Sequence, residues 1–292
     1  MLRLLFALHD RVIPPQQRAG ARALYERATY YASRLRLGED RFTEVEIETN
    51  TGCNRRCRIC PVHDEPRPEG EMGWPLYTRI LDELAGLGFT GRLSPVFYNE
   101  PLLDPRLADL MRAARERLPR SLLLIFTNGS LLTRERIAEL VDAGVDTLVV
   151  SQYEDNVKGD GRRFAEATRD LPRRLRRHLR YRTLADDDPL LTAGGLIAVQ
   201  EPITRSRCMQ ASLAAVIDYE GNVLLCCNDF HGQHRFGNVA EEPLLDIWRK
   251  PAFQALRRQL RHGDFQLDIC KACSRGETLP APDGDADVSA SA

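Results

Sequence analysis

The stretch Val45-Glu46-Ile47-Glu48-Thr49-Asn50-Thr51-Gly52-Cys53-Asn54-Arg55-Arg56-Cys57-Arg58-Ile59-Cys60-Pro61 decides how this chain is read. Its first five residues alternate apolar and acidic side chains with period two, the pattern of a strand with one buried face. The alternation ends at Thr51-Gly52, and three cysteines follow as C-x3-C-x2-C on what reads as a loop. Thiolates this close in sequence can grip one metal centre. A complete set for an iron–sulfur cubane has four cysteines, so three leave one iron without a protein ligand. An open position on a bound metal is where chemistry can occur. A zinc site is the other reading of the same residues, although structural zinc takes four ligands.

Working outward, helix-like and strand-like stretches alternate. Residues 75–87 place Leu76, Ile80, Leu81, Leu84 and Leu87 at helical spacing. Residues 92–98 read as a short strand, and 105–118 as a helix. Residues 121–127 form a continuous apolar strand, the kind buried on both faces of a parallel sheet. A helix over 133–143 is capped by Thr133, with Arg136 and Glu139 outward. Residues 147–151 read as another buried strand, 163–178 as helical and 181–184 as a further strand. This order implies right-handed crossovers around a parallel sheet or barrel, hence an α/β fold.

Residues 1–42 read as helical, most clearly over 21–35. Near residue 185 the organisation changes. Asp186-Asp187-Asp188-Pro189 and Gly194-Gly195 are loop signals. Residues 214–219 and 222–227 flank Glu220-Gly221 as a hairpin. A helix from Pro243 to about Leu260 follows, and Cys270-Lys271-Ala272-Cys273 closes this smaller unit. Residues 277–292, rich in Pro, Gly, Ser, Asp and Ala, read as a disordered tail. The expected divisions are 1–42, 43–185, 186–276 and 277–292.

Composition narrows the function. Of 292 residues, 43% are hydrophobic and 28% charged, as in ordinary globular proteins. A net charge of -1 gives no reason to expect a nucleic-acid partner. The apolar run at Met1–Asp10 is interrupted by Arg3 and lacks a signal peptide's long core and cleavage site. With no stretch of about 18 apolar residues, no membrane span is expected. Eight cysteines without a secretion signal favour metal binding in a reducing cytoplasm over disulfides.

The three-cysteine loop resembles that of the radical S-adenosylmethionine (radical SAM) superfamily. The resemblance extends from about residue 43 to 275. It implies a partial (β/α)6 TIM-like radical SAM barrel with a small C-terminal Cys-rich β-hairpin/helix SPASM/twitch domain. It also implies a [4Fe-4S] cluster on Cys53, Cys57 and Cys60 that binds SAM and cleaves it to a 5'-deoxyadenosyl radical. Ile59, before the last cysteine, fits the residue that packs beside cluster and adenine. Phe97-Tyr98-Asn99-Glu100-Pro101 stands where the superfamily reads Gly-Gly-Glu-Pro. Tyr98 and Asn99 replace the glycines, while Glu100 keeps the carboxylate that can accept from the SAM ammonium. Thr127 and Asn128 end one strand and Ser151 another, positions typical of contacts to SAM's methionine and ribose. Arg182 is a candidate carboxylate ligand within a basic run otherwise read as a solvated helix face.

Cys208, Cys226, Cys270 and Cys273 resemble the SPASM/twitch extension, implying one auxiliary [4Fe-4S] cluster. A four-cysteine zinc site has compatible spacing. Cys227 neighbours Cys226, so on a strand it faces the other way; it either replaces Cys226 or is simply buried. Trp248, in Leu244-Leu245-Asp246-Ile247-Trp248, is expected in the small domain's core. His231, His234, Asp229 and Tyr153 lie near the expected site without an assigned role. The implied activity is an oxidoreductase of natural-product biosynthesis acting on a small polar substrate, a carbohydrate, aminocyclitol or nucleoside. The auxiliary cluster would act as electron acceptor, with flavodoxin or ferredoxin as reducing partner. Peptide maturation and a non-catalytic zinc-binding module are the competing readings.

Overall fold

The computed structural model describes residues 15–37, 41–65, 67–153, 164–184 and 190–279. The Asp186–Pro189 loop, the first ten residues and most of the expected tail lie outside that set. The helical expectation at the N-terminus is met by α1 (Pro15–Leu37). The core then runs β1 (Glu44–Ile47), α2 (Trp74–Gly86), β2 (Arg92–Ser94), α3 (Leu107–Arg117), β3 (Leu122–Thr127), α4 (Arg134–Asp142), β4 (Thr147–Tyr153), α5 (Arg173–Arg176) and β5 (Leu179–Leu184). The C-terminal part adds α6 (Gln210–Leu213), β6 (Ala214–Ile217), β7 (Asn222–Leu224), β8 (Arg235–Asn238), α7 (Leu244–Arg249), α8 (Pro251–His262) and α9 (Asp268–Arg275).

All eight strands form one open sheet in the order β5-β4-β3-β2-β1-β6-β7-β8. The first six are mutually parallel, and β7 and β8 turn antiparallel. Thus β6, which forms the expected hairpin with β7, also pairs with β1 from Glu44↔Ala214 to Ile47↔Ile217. The chain beyond residue 186 is therefore hydrogen-bonded into the core sheet.

Strand alternation sorts the side chains. Val45, Ile47, Leu93, Leu123, Ile125, Leu148, Val150, Ala215 and Ile217 face the helices and join one buried core with Tyr77, Ile80, Leu81, Leu84, Leu110 and Met111. The opposite parity, which includes Glu44, Glu46, Arg92, Phe126, Ser151 and Arg182, lines the concave side. There Arg92 bridges Glu44 and Glu46 and lies over the Phe126 ring at 5.7 Å. At the same level α1 seats Tyr30 against Met209 and Leu213.

Several boundaries differ from expectation for local reasons. The helix expected from Pro243 breaks at Lys250, because Pro251 favours an extended preceding residue and lacks an N–H; Lys250 has φ -53°, ψ 132°. Trp248 belongs to the main core rather than a separate small one, meeting Phe42 edge-on at 5.3 Å. The helix expected over 163–178 is present as short turns at 164–168 and at α5. Thr133 caps α4 as expected, accepting from the Arg136 N–H.

Candidate active site at the carboxyl ends of the strands

The loops that follow β1, β2 and β3 are tied together around one residue, Glu100. Glu100, 2% exposed, accepts from Thr127 Oγ1 at 2.6 Å, the Asn128 N–H at 2.7 Å and the Leu102 N–H at 3.1 Å. Burial pushes its carboxyl up, and those three donors oppose the shift. A carboxylate offers about four lone-pair positions, so a single position remains for a ligand. Asn128 passes the connection on. Its Nδ2 donates to Asn54 Oδ1 at 2.9 Å, and its Oδ1 accepts from the Ser130 N–H and hydroxyl. Asn54 also donates to Ser130. Gly129 follows at φ 74°, where a β carbon would also meet Val150 at 2.6 Å, so only glycine suits that turn.

The cluster loop is thus held from the β3 side through Asn54 and from below by the Glu100 N–H donating to Gly52 O at 2.8 Å. Cys57 is buried, while Cys53, Cys60 and Ile59 are half-buried. Burial pushes the Cys53 and Cys60 thiols up. Asn99 turns its Oδ1 to the Phe97 N–H at 2.9 Å, and its buried Nδ2 has no partner among the described residues. Ser151 and Arg182 are register partners on β4 and β5, both on the concave side. They sit across the sheet from the cluster loop, where a ligand spanning the strand ends would pass.

The second cysteine set gathers at one place. Cys208, Cys226, Cys270 and Cys273 line one enclosed cavity with Arg205, Asn228, Leu225, Leu260, Phe265 and Ile269. Burial pushes the Cys270 thiol up to about 12, with Cys208 and Cys273 adding to the shift. Burial likewise drives Cys226 upward, reinforced by Cys227. Cys226 and Cys270, raised in this way beside two further thiols, resist ionising unless a cation shares the space, so the donor set fits a bound iron–sulfur centre. Among the described residues no three His, Cys, Asp or Glu are gathered tightly enough to share a single ion. A cubane tolerates that separation, since each iron takes one thiolate. Cys227 points the other way and packs with Ala214, Val216, Leu224 and Phe97. All eight cysteines are free of disulfides.

Several residues of the site carried no role in the sequence reading. Glu48, fully buried, is paired to both terminal nitrogens of Arg67 at 2.8 and 2.9 Å. The Arg67 guanidinium lies 5.1 Å from the Phe97 ring centre and 5.0 Å from that of Phe230. Tyr98 meets Phe97 and Phe230 edge-on, each at 4.8 Å. Phe230 lies three residues past Cys227, and Tyr98 itself stands two residues before Glu100, whose N–H holds Gly52 beside Cys53. The substituted glycine position therefore supplies an aromatic side chain that links the Glu100 loop to the segment after Cys226-Cys227. His231 continues that packing, 4.9 Å from Phe230, and contacts Glu65 at 3.3 Å. A larger groove of about 500 Å³ lies outside the barrel along α3. Its arginines pair locally, Arg106 with Asp104, Arg112 with Asp109 and Arg117 with Asp82, so it offers no convergent free polar groups.

Residues 47–181 match the radical SAM superfamily, and residues 208–274 match SPASM, an iron–sulfur cluster-binding domain. The S-adenosyl-L-methionine-dependent 2-deoxy-scyllo-inosamine dehydrogenase of Niallia circulans is 34% identical over 238 residues, covering 80% of this chain and 93% of the relative. The crystal structure of BtrN in complex with AdoMet and 2-DOIA superposes with a TM-score of 0.75 at 32% identity, covering 82% of this chain and 96% of that one. The structure of anSMEcpe with bound AdoMet, 13% identical with a TM-score of 0.54 over 80% of this chain and 91% of that one, shares the fold. Both cysteine sets fall within the matched regions and the full-length relative aligns across them: this chain belongs to the radical SAM superfamily and is an enzyme that works with S-adenosyl-L-methionine, a [4Fe-4S] cluster and an auxiliary cluster in a C-terminal SPASM domain.

Proposed function

We propose that this enzyme oxidises a secondary alcohol of a small polar ring, an aminocyclitol or amino sugar, to the ketone in natural-product biosynthesis. The observation that carries the reading is the position of Tyr98, packed on Phe230 three residues past Cys227 and standing two residues before Glu100, whose N–H holds Gly52 beside Cys53. A substrate lying against that ring lies beside both segments. The dehydrogenase relative, which covers nearly its whole length with this chain, supports the substrate class. The overall conversion balances as alcohol plus SAM giving ketone, 5'-deoxyadenosine, methionine and one proton. One electron enters to cleave SAM and one leaves with the substrate's second oxidation.

The residues proposed to hold the catalytic cluster are Cys53, Cys57 and Cys60, with Ile59, Asn99, Glu100, Thr127, Asn128, Ser151 and Arg182 around SAM. Cys208, Cys226, Cys270 and Cys273 are proposed for the auxiliary cluster. When bound, SAM and the catalytic cluster supply a radical strong enough to take hydrogen from an unactivated carbon. The chain's own contribution is placement and exclusion. Glu100 and Asn128 fix the loop ends, and Arg67, Phe97, Tyr98 and Phe230 form a packed wall that keeps water from the reacting carbon. We further infer a reducing cytosolic setting, because eight cysteines outside any disulfide must stay reduced, and a one-electron donor such as flavodoxin or ferredoxin.

The test is anaerobic reconstitution followed by turnover with SAM and dithionite over aminocyclitols, amino sugars and short peptides. 2-Deoxy-scyllo-inosamine should be included. Ketone and 5'-deoxyadenosine in equal amounts from one polyol support the proposal. Turnover of a peptide with none of the polyols oxidised overturns it.

A further inference from the structure

Among the described residues, the Asn228 side chain donates to a sulfur of the second cysteine site. Asn228 follows Cys226-Cys227 directly and is 9% exposed. Its backbone N–H donates to Cys226 Sγ at 3.5 Å, and its Nδ2 donates to Cys273 Sγ at 3.8 Å. A single residue therefore spans two thiols that arrive from distant parts of the chain, one just past β7 and one from α9. Its backbone is pressed in place from behind. A β carbon on Gly194, at φ 73°, would lie 2.8 Å from Asn228 O, so the 193–195 turn sits directly against it. Nδ2 has no acceptor besides Cys273 among the described residues.

Charges of both signs surround this donor. Arg205 lines the same cavity and faces Glu26 of α1 at 3.8 Å. Asp229 is buried, and its carboxylate is taken up by the Gln233 and His234 N–H groups. The Asn228 amide meets a cysteine sulfur through a directed hydrogen bond. An N–H aimed at a ligating sulfur stabilises the state with more negative charge on the cluster, which is the reduced state, and so raises the reduction potential. Residues that orient and bond metal ligands tune the metal in this way.

We propose that Asn228 is a positioning residue of the auxiliary cluster, whose side-chain donation to Cys273 holds the cluster's potential high enough to accept an electron. The inference rests on the auxiliary cluster, not on the identity of the substrate. The experiment is an EPR-monitored redox titration of the reconstituted full-length enzyme, wild type beside Asn228→Leu and Asn228→Asp. Iron and sulfide per chain establish loading. SAM perturbs the signal of the catalytic cluster, so the SAM-insensitive signal reports the auxiliary one. Asn228→Leu should shift the reduced-to-oxidised ratio about tenfold toward oxidised at a fixed poise, about 59 mV lower for one electron. Asn228→Asp, which swaps the donor for an anionic oxygen, should fall further. A fully loaded variant with the wild-type potential overturns the proposal. So does failure of both variants to load the second site, since Asn228 would then serve assembly instead. Because the readout needs no turnover, it stands or falls separately from the alcohol oxidation.

Discussion

Glu100 offers a sharp test, because family resemblance makes it a SAM ligand while the geometry makes it a fastener. In Glu100→Gln the amide oxygen can take the place of Oε1 and keep Thr127 and Leu102 as donors. The amide nitrogen then faces the Asn128 N–H, donor against donor, and that bond is lost. Bonds to a charged group contribute about 1.5–3 kcal/mol each. Relief of a buried charge offsets part of the loss, since burial is the leading cause of the raised Glu100 carboxyl. A net cost of about 2 kcal/mol follows, which lowers the apparent Tm by roughly 4–8 °C. Urea unfolding of the metal-free full chain reads the cost directly, and iron per chain after reconstitution reads the effect on the loop that Asn128 holds. The sign with pH is fixed as well. A carboxyl raised in the fold removes stability as pH climbs from its unfolded value to its folded one. The glutamine variant lacks that slope, so the wild type's advantage narrows across that window. If stability is unchanged while SAM affinity falls tenfold or more, Glu100 meets SAM directly and the fastening argument is wrong.

Other perturbations follow from the same contacts. Arg67→Met leaves the fully buried Glu48 without its two-nitrogen partner and should cost about 3–5 kcal/mol; adding Glu48→Gln should recover much of it in a double-mutant cycle by urea unfolding. Cys226→Ser should lower iron by about half from roughly eight per chain, whereas Cys227→Ser, which faces Ala214 and Val216, should keep the wild-type iron content. Gly70→Ala places a β carbon 2.1 Å from the Tyr219 ring, whose backbone N–H donates to Glu48; substrate KM should rise and Tm should fall together.

The legible parts of this protein are those encoded by local pattern. Period-two alternation gave β1, continuous apolar runs gave β3 and β4, and helical spacing gave α2, with Thr133 marking the start of α4. The resemblance to the SPASM/twitch extension grouped Cys208, Cys226, Cys270 and Cys273, which line one cavity, while Cys227 packs against Ala214, Val216 and Leu224 from a position just past β7. What stayed hidden depends on partners distant in sequence. Nothing near residue 214 says that β6 will pair with β1, because an apolar strand fits either a free hairpin or a central sheet position. Glu48 reads as the solvent side of an alternating strand until β6 and Arg67 close over it. Nothing local marks Asn228 until Cys273, 45 positions later, arrives at its amide.

The β6–β1 pairing carries the largest functional consequence. A SPASM segment joined only by a linker could sit at any angle to the barrel, and the distance between its cluster and SAM would then vary with linker motion. Here four consecutive register pairs fix β6 beside the strand that leads into the cluster loop, and β7 returns alongside it to deliver Cys226. The hydrogen bond from the Glu48 N–H to Ile217 O, at 2.9 Å, extends the pairing one residue further toward the mouth. The first cysteine set therefore follows β1 and Cys226 follows β7, with β6 between those two strands in one sheet, while Tyr98 packs on Phe97 and Phe230. Sheet hydrogen bonds, not the flexibility of a linker, tie the strand before the first cysteine set to the strand before Cys226.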